Sequence, residues 1–130
     1  DCTNSKNELN IDNAKQKSPI YWDTPTEKLK SSKLLIYAGI YDGIQGSVPI
    51  THSINFYNKL LTDMDVTDSL KYVSLSEKLN LLEKRERLGE YGNIADRKIL
   101  LRKDFENVSL IIFEGNHEML TKFALNQLIE

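Results

Sequence analysis

Large apolar residues gather into two uninterrupted runs, Leu34-Leu35-Ile36-Tyr37-Ala38-Gly39 and Val108-Ser109-Leu110-Ile111-Ile112-Phe113. Neither run alternates with polar residues, which predicts strands buried on both faces, as in a parallel sheet. Each run is followed by a glycine-containing loop and then a helical pattern. After the first, Phe56, Tyr57, Leu60 and Leu61 share one face of a helix that starts near Thr51 or Ser53. After the second, Leu120, Phe123, Ala124 and Leu128 fall on one face of a helix predicted from Glu118 to about Ile129.

Between the strands, Ser74-Leu75-Ser76-Glu77 has the form of a capping box. It predicts a helix with Leu75, Leu79 and Leu82 turned inward, Glu83 and Arg87 as an exposed pair four residues apart, and Gly89 and Gly92 at its end. Ile99-Leu100-Leu101 fits a short strand and a helical turn about equally. The order strand, loop, helix, intervening segment, strand, loop, helix is an α/β pattern in a single domain. Residues 1–33 form a lead-in segment. Its first 16 residues are polar and loosely held. Ser18-Pro19-Ile20-Tyr21-Trp22 is expected to be an extended or turn segment tucked under the fold. Thr24-Pro25-Thr26-Glu27 is a helix start with Pro25 near the first position.

Composition narrows the classes. Hydrophobic residues at 40% and charged residues at 28% suit a globular chain rather than a disordered one. Seventeen basic residues against nineteen acidic ones give a net charge of −2, without the basic surplus of a nucleic-acid binder. The apolar runs are too short for a membrane-spanning helix. The single cysteine, Cys2, excludes an internal disulfide and a zinc knuckle. The chain opens on Asp1 with no secretory pattern behind it, and we expect it to be part of something longer.

In open parallel sheets, ligands and reactive groups collect at the carboxyl ends of the strands. Asp42 follows the first strand three residues after Gly39, and His117 follows the second two residues after Gly115. A carboxylate and an imidazole on neighbouring strand-end loops can meet, the carboxylate orienting the ring while its other nitrogen serves as a base. The other motifs point to less. His52 reads as a structural histidine at the start of the helix after the acid loop. Asp63, Asp65 and Asp68 read as a solvated loop, since the stretch lacks the glycine and terminal glutamate of a calcium loop. Glu114, His117 and Glu118 fall short of a metal motif. Gly43-Ile44-Gln45-Gly46-Ser47 lacks the lysine and spacing of a phosphate-binding loop.

The stretch from Leu34 through Asp42-Gly43 and Gly46-Ser47-Val48-Pro49 to Phe56-Tyr57-Asn58-Lys59-Leu60 resembles the acid-bearing segment of an α/β-hydrolase. Ile111-Ile112-Phe113-Glu114-Gly115-Asn116-His117-Glu118-Met119-Leu120 is similar to the segment that carries the histidine in the same superfamily. The nearest flavour is that of prolyl-oligopeptidase-like and esterase-like bacterial hydrolases. The resemblance implies a parallel sheet of the hydrolase type with flanking helices. It makes Asp42 the acid and His117 the base of a Ser-His-Asp triad, with an ester or peptide as substrate and neither cofactor nor metal.

Two departures qualify the resemblance. The span between Asp42 and His117 exceeds one helix and its connection, and residues 63–107 are expected to be a helical insertion near the site rim. The nucleophile elbow, Gly-x-Ser-x-Gly, is missing. The glycines four apart, Gly39 and Gly43, flank Tyr41 rather than serine; Ser47 lies in the acid loop, and neither Ser18 nor Cys2 follows a strand. The resemblance therefore implies the C-terminal portion of a serine hydrolase whose serine lies elsewhere. A noncatalytic α/β binding or interaction module and a small flavodoxin-like domain are the other readings. A truncated sheet would leave the Leu34–Gly39 strand with an open edge, so self-association is expected.

Overall fold

The computed structural model describes residues 11–44, 46, 48–118, 120 and 125–126. Helices α1 (Ile11–Lys17) and α2 (Thr26–Ser31) precede strand β1 (Leu34–Gly39) and helix α3 (Ile50–Asp63). Helix α4 (Leu75–Glu83) leads to strands β2 (Asn93–Ile94), β3 (Arg97–Phe105) and β4 (Val108–Phe113). The sheet order is β1-β4-β3-β2.

Strand β4 is buried at every position and forms the centre of the molecule. Its side chains alternate between two faces. Val108, Leu110 and Ile112 join the larger core with Ile54, Tyr57 and Leu61 of α3. Ile111 and Phe113 pack on the other face with Ile94 and Ile99. The inward residues Ile50, Ile54, Tyr57 and Leu61 of α3 follow helical periodicity. The helix stops where Asp65 takes a left-handed φ of 57° and Val66 N–H returns to Leu61 O.

Both strands expected from the sequence are present, and they pair in parallel from Leu34↔Val108 to Gly39↔Phe113. The rest of the sheet departs from a parallel hydrolase-type arrangement: β3 runs antiparallel to β4, and β2 antiparallel to β3. The segment 63–107, expected to be a helical insertion, supplies only α4 and a single 3-10 turn before becoming β2 and β3. Ile99-Leu100-Leu101 is strand, with a bulge between Ile99 and Leu101. That bulge lets three consecutive residues be buried, Ile99 on one face and Leu100 and Leu101 against the larger core.

Other local expectations change in instructive ways. The Ser74 capping box forms, with Glu77 N–H donating to Ser74 Oγ at 3.1 Å. The inward side of α4 is Leu81, fully buried, whereas Leu75, Leu79 and Leu82 are exposed. The helix stops at Glu83, so Arg87 lies beyond it and instead donates to the carbonyls of Ile99 and Gly92 and to Asn93. Tyr21 and Trp22 are not tucked under the fold; they are 64% and 54% exposed. Trp22 Nε1 donates to Gln16 O, and Lys15 lies over the Tyr21 ring, so the two aromatics organise the lead-in rather than the core. Of the terminal helix, Leu125 and Asn126 are helical, while Phe123, Ala124 and Leu128 lie outside the described residues, as do Cys2 and Ser47. Among the described residues, no helix is long and apolar enough to cross a membrane.

Two of the leucines of α4 give a direct test of this packing. Leu81→Ala empties a site with no solvent exposure and should cost about 2–5 kcal/mol in urea unfolding. Leu75→Ala, at a position 68% exposed, should stay within about 0.5 kcal/mol.

Candidate active site

The flush register of β1 and β4 brings their carboxyl ends to one edge of the sheet. Beyond the ladder the two chains stay paired: Ile40 N–H donates to Phe113 O at 2.9 Å and Tyr41 N–H to Gly115 O at 3.0 Å. The loops then approach so closely that a Cβ on Gly39 would collide with the carbonyl oxygens of Gly115 and Asn116. Glycine at 39 is therefore a condition of the acid loop lying against the histidine loop.

In this setting Asp42 and His117 meet, with His117 Nδ1 2.6 Å from Asp42 Oδ2. Asp42 is buried, and its other oxygen accepts the Val48 N–H at 3.3 Å. The hydrogen bond from His117 is the main cause that holds the Asp42 carboxyl below its ordinary value of 3.8, with the Val48 and Gly43 N–H groups assisting against desolvation. A carboxylate acceptor places the ring proton on Nδ1. The His117 side chain is 73% exposed, and Nε2 has no protein partner among the described residues. In the neutral ring that nitrogen carries a lone pair, so the pair can accept a proton from a group brought to it and stabilise the resulting imidazolium.

A cleft of about 690 Å³ extends from this pair along β1, lined by Leu35, Tyr37, Val48 and Ser53 as well as by Asp42 and His117. His52 is not part of this lining. It lines a second cleft of about 480 Å³ on the other side of the start of α3, with Tyr21, Asn55 and Phe56. Two of the three acidic residues at the end of α3 and beyond it are engaged by protein groups: Asp63 accepts from Lys59 and Thr24, and Asp68 caps the Leu70 N–H at 3.0 Å. No group of three or more metal-ligating side chains occurs among the described residues.

Asp42 and His117 are legible in the sequence; the groups around them are not. Glu118, by sequence the first residue of the last helix and short of a metal motif, accepts from Arg97 and from Asn116 N–H, beside the histidine. Its partner lies 21 residues away, beyond the reach of any local motif. Comparison of the chain with protein-family models, with curated proteins and with solved structures found no match.

The contact makes a pH prediction with a definite sign. Because the folded value of Asp42 lies under its unfolded value, the pair contributes to stability above pH 3.8 and is lost as pH falls through the folded value. In a ¹³C NMR titration the Asp42 carboxyl should titrate below 3.8, and His117→Ala should move it upward. A titration unchanged by that substitution would show that the imidazole is not the cause.

Proposed function

We propose that Asp42 and His117 are the acid and base of a Ser-His-Asp site of the α/β-hydrolase type, acting on an ester or peptide bond. In this reading the serine comes from polypeptide outside these 130 residues. The observation that carries the reading is the 2.6 Å contact between a buried carboxylate and an exposed imidazole at the carboxyl ends of two paired parallel strands. Resemblance of the two segments to hydrolase sequences adds to it, and the antiparallel β2–β3 hairpin is a departure from that pattern.

The chemistry follows from the two ring nitrogens. As the serine hydroxyl attacks the substrate carbonyl, His117 Nε2 takes its proton, and Asp42 stabilises the imidazolium through Nδ1–H. The imidazolium then returns the proton to the departing alcohol or amine. In the second half, Nε2 takes a proton from water, which cleaves the acyl-serine ester and restores the serine. No cofactor enters this sequence.

The test uses the protein with its natural upstream sequence. A fluorophosphonate probe should label one serine there, and His117→Ala should slow labelling by about 10²–10⁴-fold. The 130-residue chain alone should take no label. Labelling of a serine within it would overturn the external nucleophile, and undiminished labelling of the His117 variant would overturn the role of the base. A gene that starts immediately before Asp1 would favour the noncatalytic binding module instead.

The same reading gives β1 a partner on its outer side. Leu34 N–H and Ile40 N–H point to β4, so by strand alternation the Leu35 amide points to the opposite edge, where the sheet has no further strand among the described residues. In the complete protein an upstream strand would lie there; in the isolated chain a second copy is the expected occupant. Light scattering at micromolar concentration should show a dimer that dissociates on dilution. A monomer with a slowly exchanging Leu35 amide would show that the chain covers this edge itself.

A further inference from the structure

The His117 ring is mostly exposed, so packing does little to hold it, and its orientation depends on the backbone that carries it. That backbone is fixed on two sides by main-chain bonds: Gly115 O accepts from Tyr41 N–H at 3.0 Å, and Glu114 N–H donates to Lys98 O at 2.9 Å. The third side is held by charge. Arg97, the first residue of β3, donates from its guanidinium to the carboxylate of Glu118, and the same oxygen accepts the Asn116 N–H at 3.1 Å. The ion pair therefore closes over residues 115–118, with His117 inside the closure. Gly115 lies directly beneath it. A Cβ at that position would strike the Arg97 guanidinium, the Glu118 carboxylate and the Phe113 ring.

We infer that Arg97 is a positioning residue for His117: acting through Glu118, it fixes the loop so that Nδ1 stays on Asp42. The inference takes its functional meaning from the hydrolase reading. A purely structural role accounts poorly for the arrangement. Both side chains remain about a third exposed, and ion pairs in that setting contribute little to global stability. Their value here is geometric, because small displacements of a reacting group reduce rate far more than they reduce stability.

The His117 imidazole Nδ1–H proton is the readout, observed in the 130-residue chain by ¹H–¹⁵N NMR without reliance on activity. In the unaltered chain it should resonate far downfield and exchange slowly. Arg97→Ala should abolish the signal while the urea midpoint changes little. Arg97→Lys should restore it in part, since an ammonium supplies one donor where the guanidinium offers a fork. Glu118→Gln, which keeps an acceptor but removes its charge, should weaken it. In the protein carrying its serine, Arg97→Ala should lower kcat by on the order of 10²-fold with KM little changed. An Arg97→Ala protein that keeps the Nδ1–H signal overturns the inference and leaves the Asp42–His117 pair standing. Should that variant unfold, a full-strength signal in both folded Arg97→Lys and Glu118→Gln overturns it equally. A missing signal in the unaltered chain overturns the pairing itself, and the hydrolase reading with it.

Discussion

Burial of β4 on both faces is the constraint from which the arrangement follows. A strand with six buried residues needs a partner on each side and a cover over each face. The larger core against α3 covers one face, and Ile94, Ile99 and the nearby aromatics cover the other. Strand β3 supplies one partner through a two-residue turn. The other partner, β1, is parallel, and a parallel neighbour can be reached only by a long crossover. Everything from Ile40 to Asn107 serves as that crossover, and the acid loop lies at its beginning.

The two core strands were legible because uninterrupted apolar runs have few other uses in a chain of this composition. Asp42 and His117 were legible for a related reason: both follow glycine-marked strand ends, where a change of direction is expected. Strand β3 was harder to see. Its turn, Phe105-Glu106-Asn107-Val108, contains no glycine, and Glu106 adopts a φ of 49° that a glycine would usually take. Arg102, Lys103 and Asp104 give the same strand a polar stretch, and the bulge at its other end breaks the alternation that would mark a half-buried strand. In α4, periodicity and the capping box specified a helix without specifying which side faces the core. That choice belongs to the tertiary packing of Leu81.

Burial divides the labour within the site. Asp42, with both oxygens engaged, is shielded from water, and a hydrogen bond made there is stronger than one at the surface. His117 projects outward, so the basic nitrogen is accessible to whatever enters the cleft. The Arg97–Glu118 pair could not be read from sequence because no periodicity links an arginine at the start of one strand to a glutamate after the next. Only the β3–β4 hairpin brings them together.

The bond from Tyr41 N–H to Gly115 O couples the acid loop directly to the histidine loop, with strands of fixed register beneath both. The separation of Asp42 and His117 is therefore independent of the contour of the chain between them. Residues can be added or removed in the exposed stretch around Ser69–Lys71, or between α4 and β2, without altering that separation. Descendants of this chain could thus vary the length of these outer segments, which lie away from the cleft along β1, while the contact between carboxylate and imidazole stays unchanged.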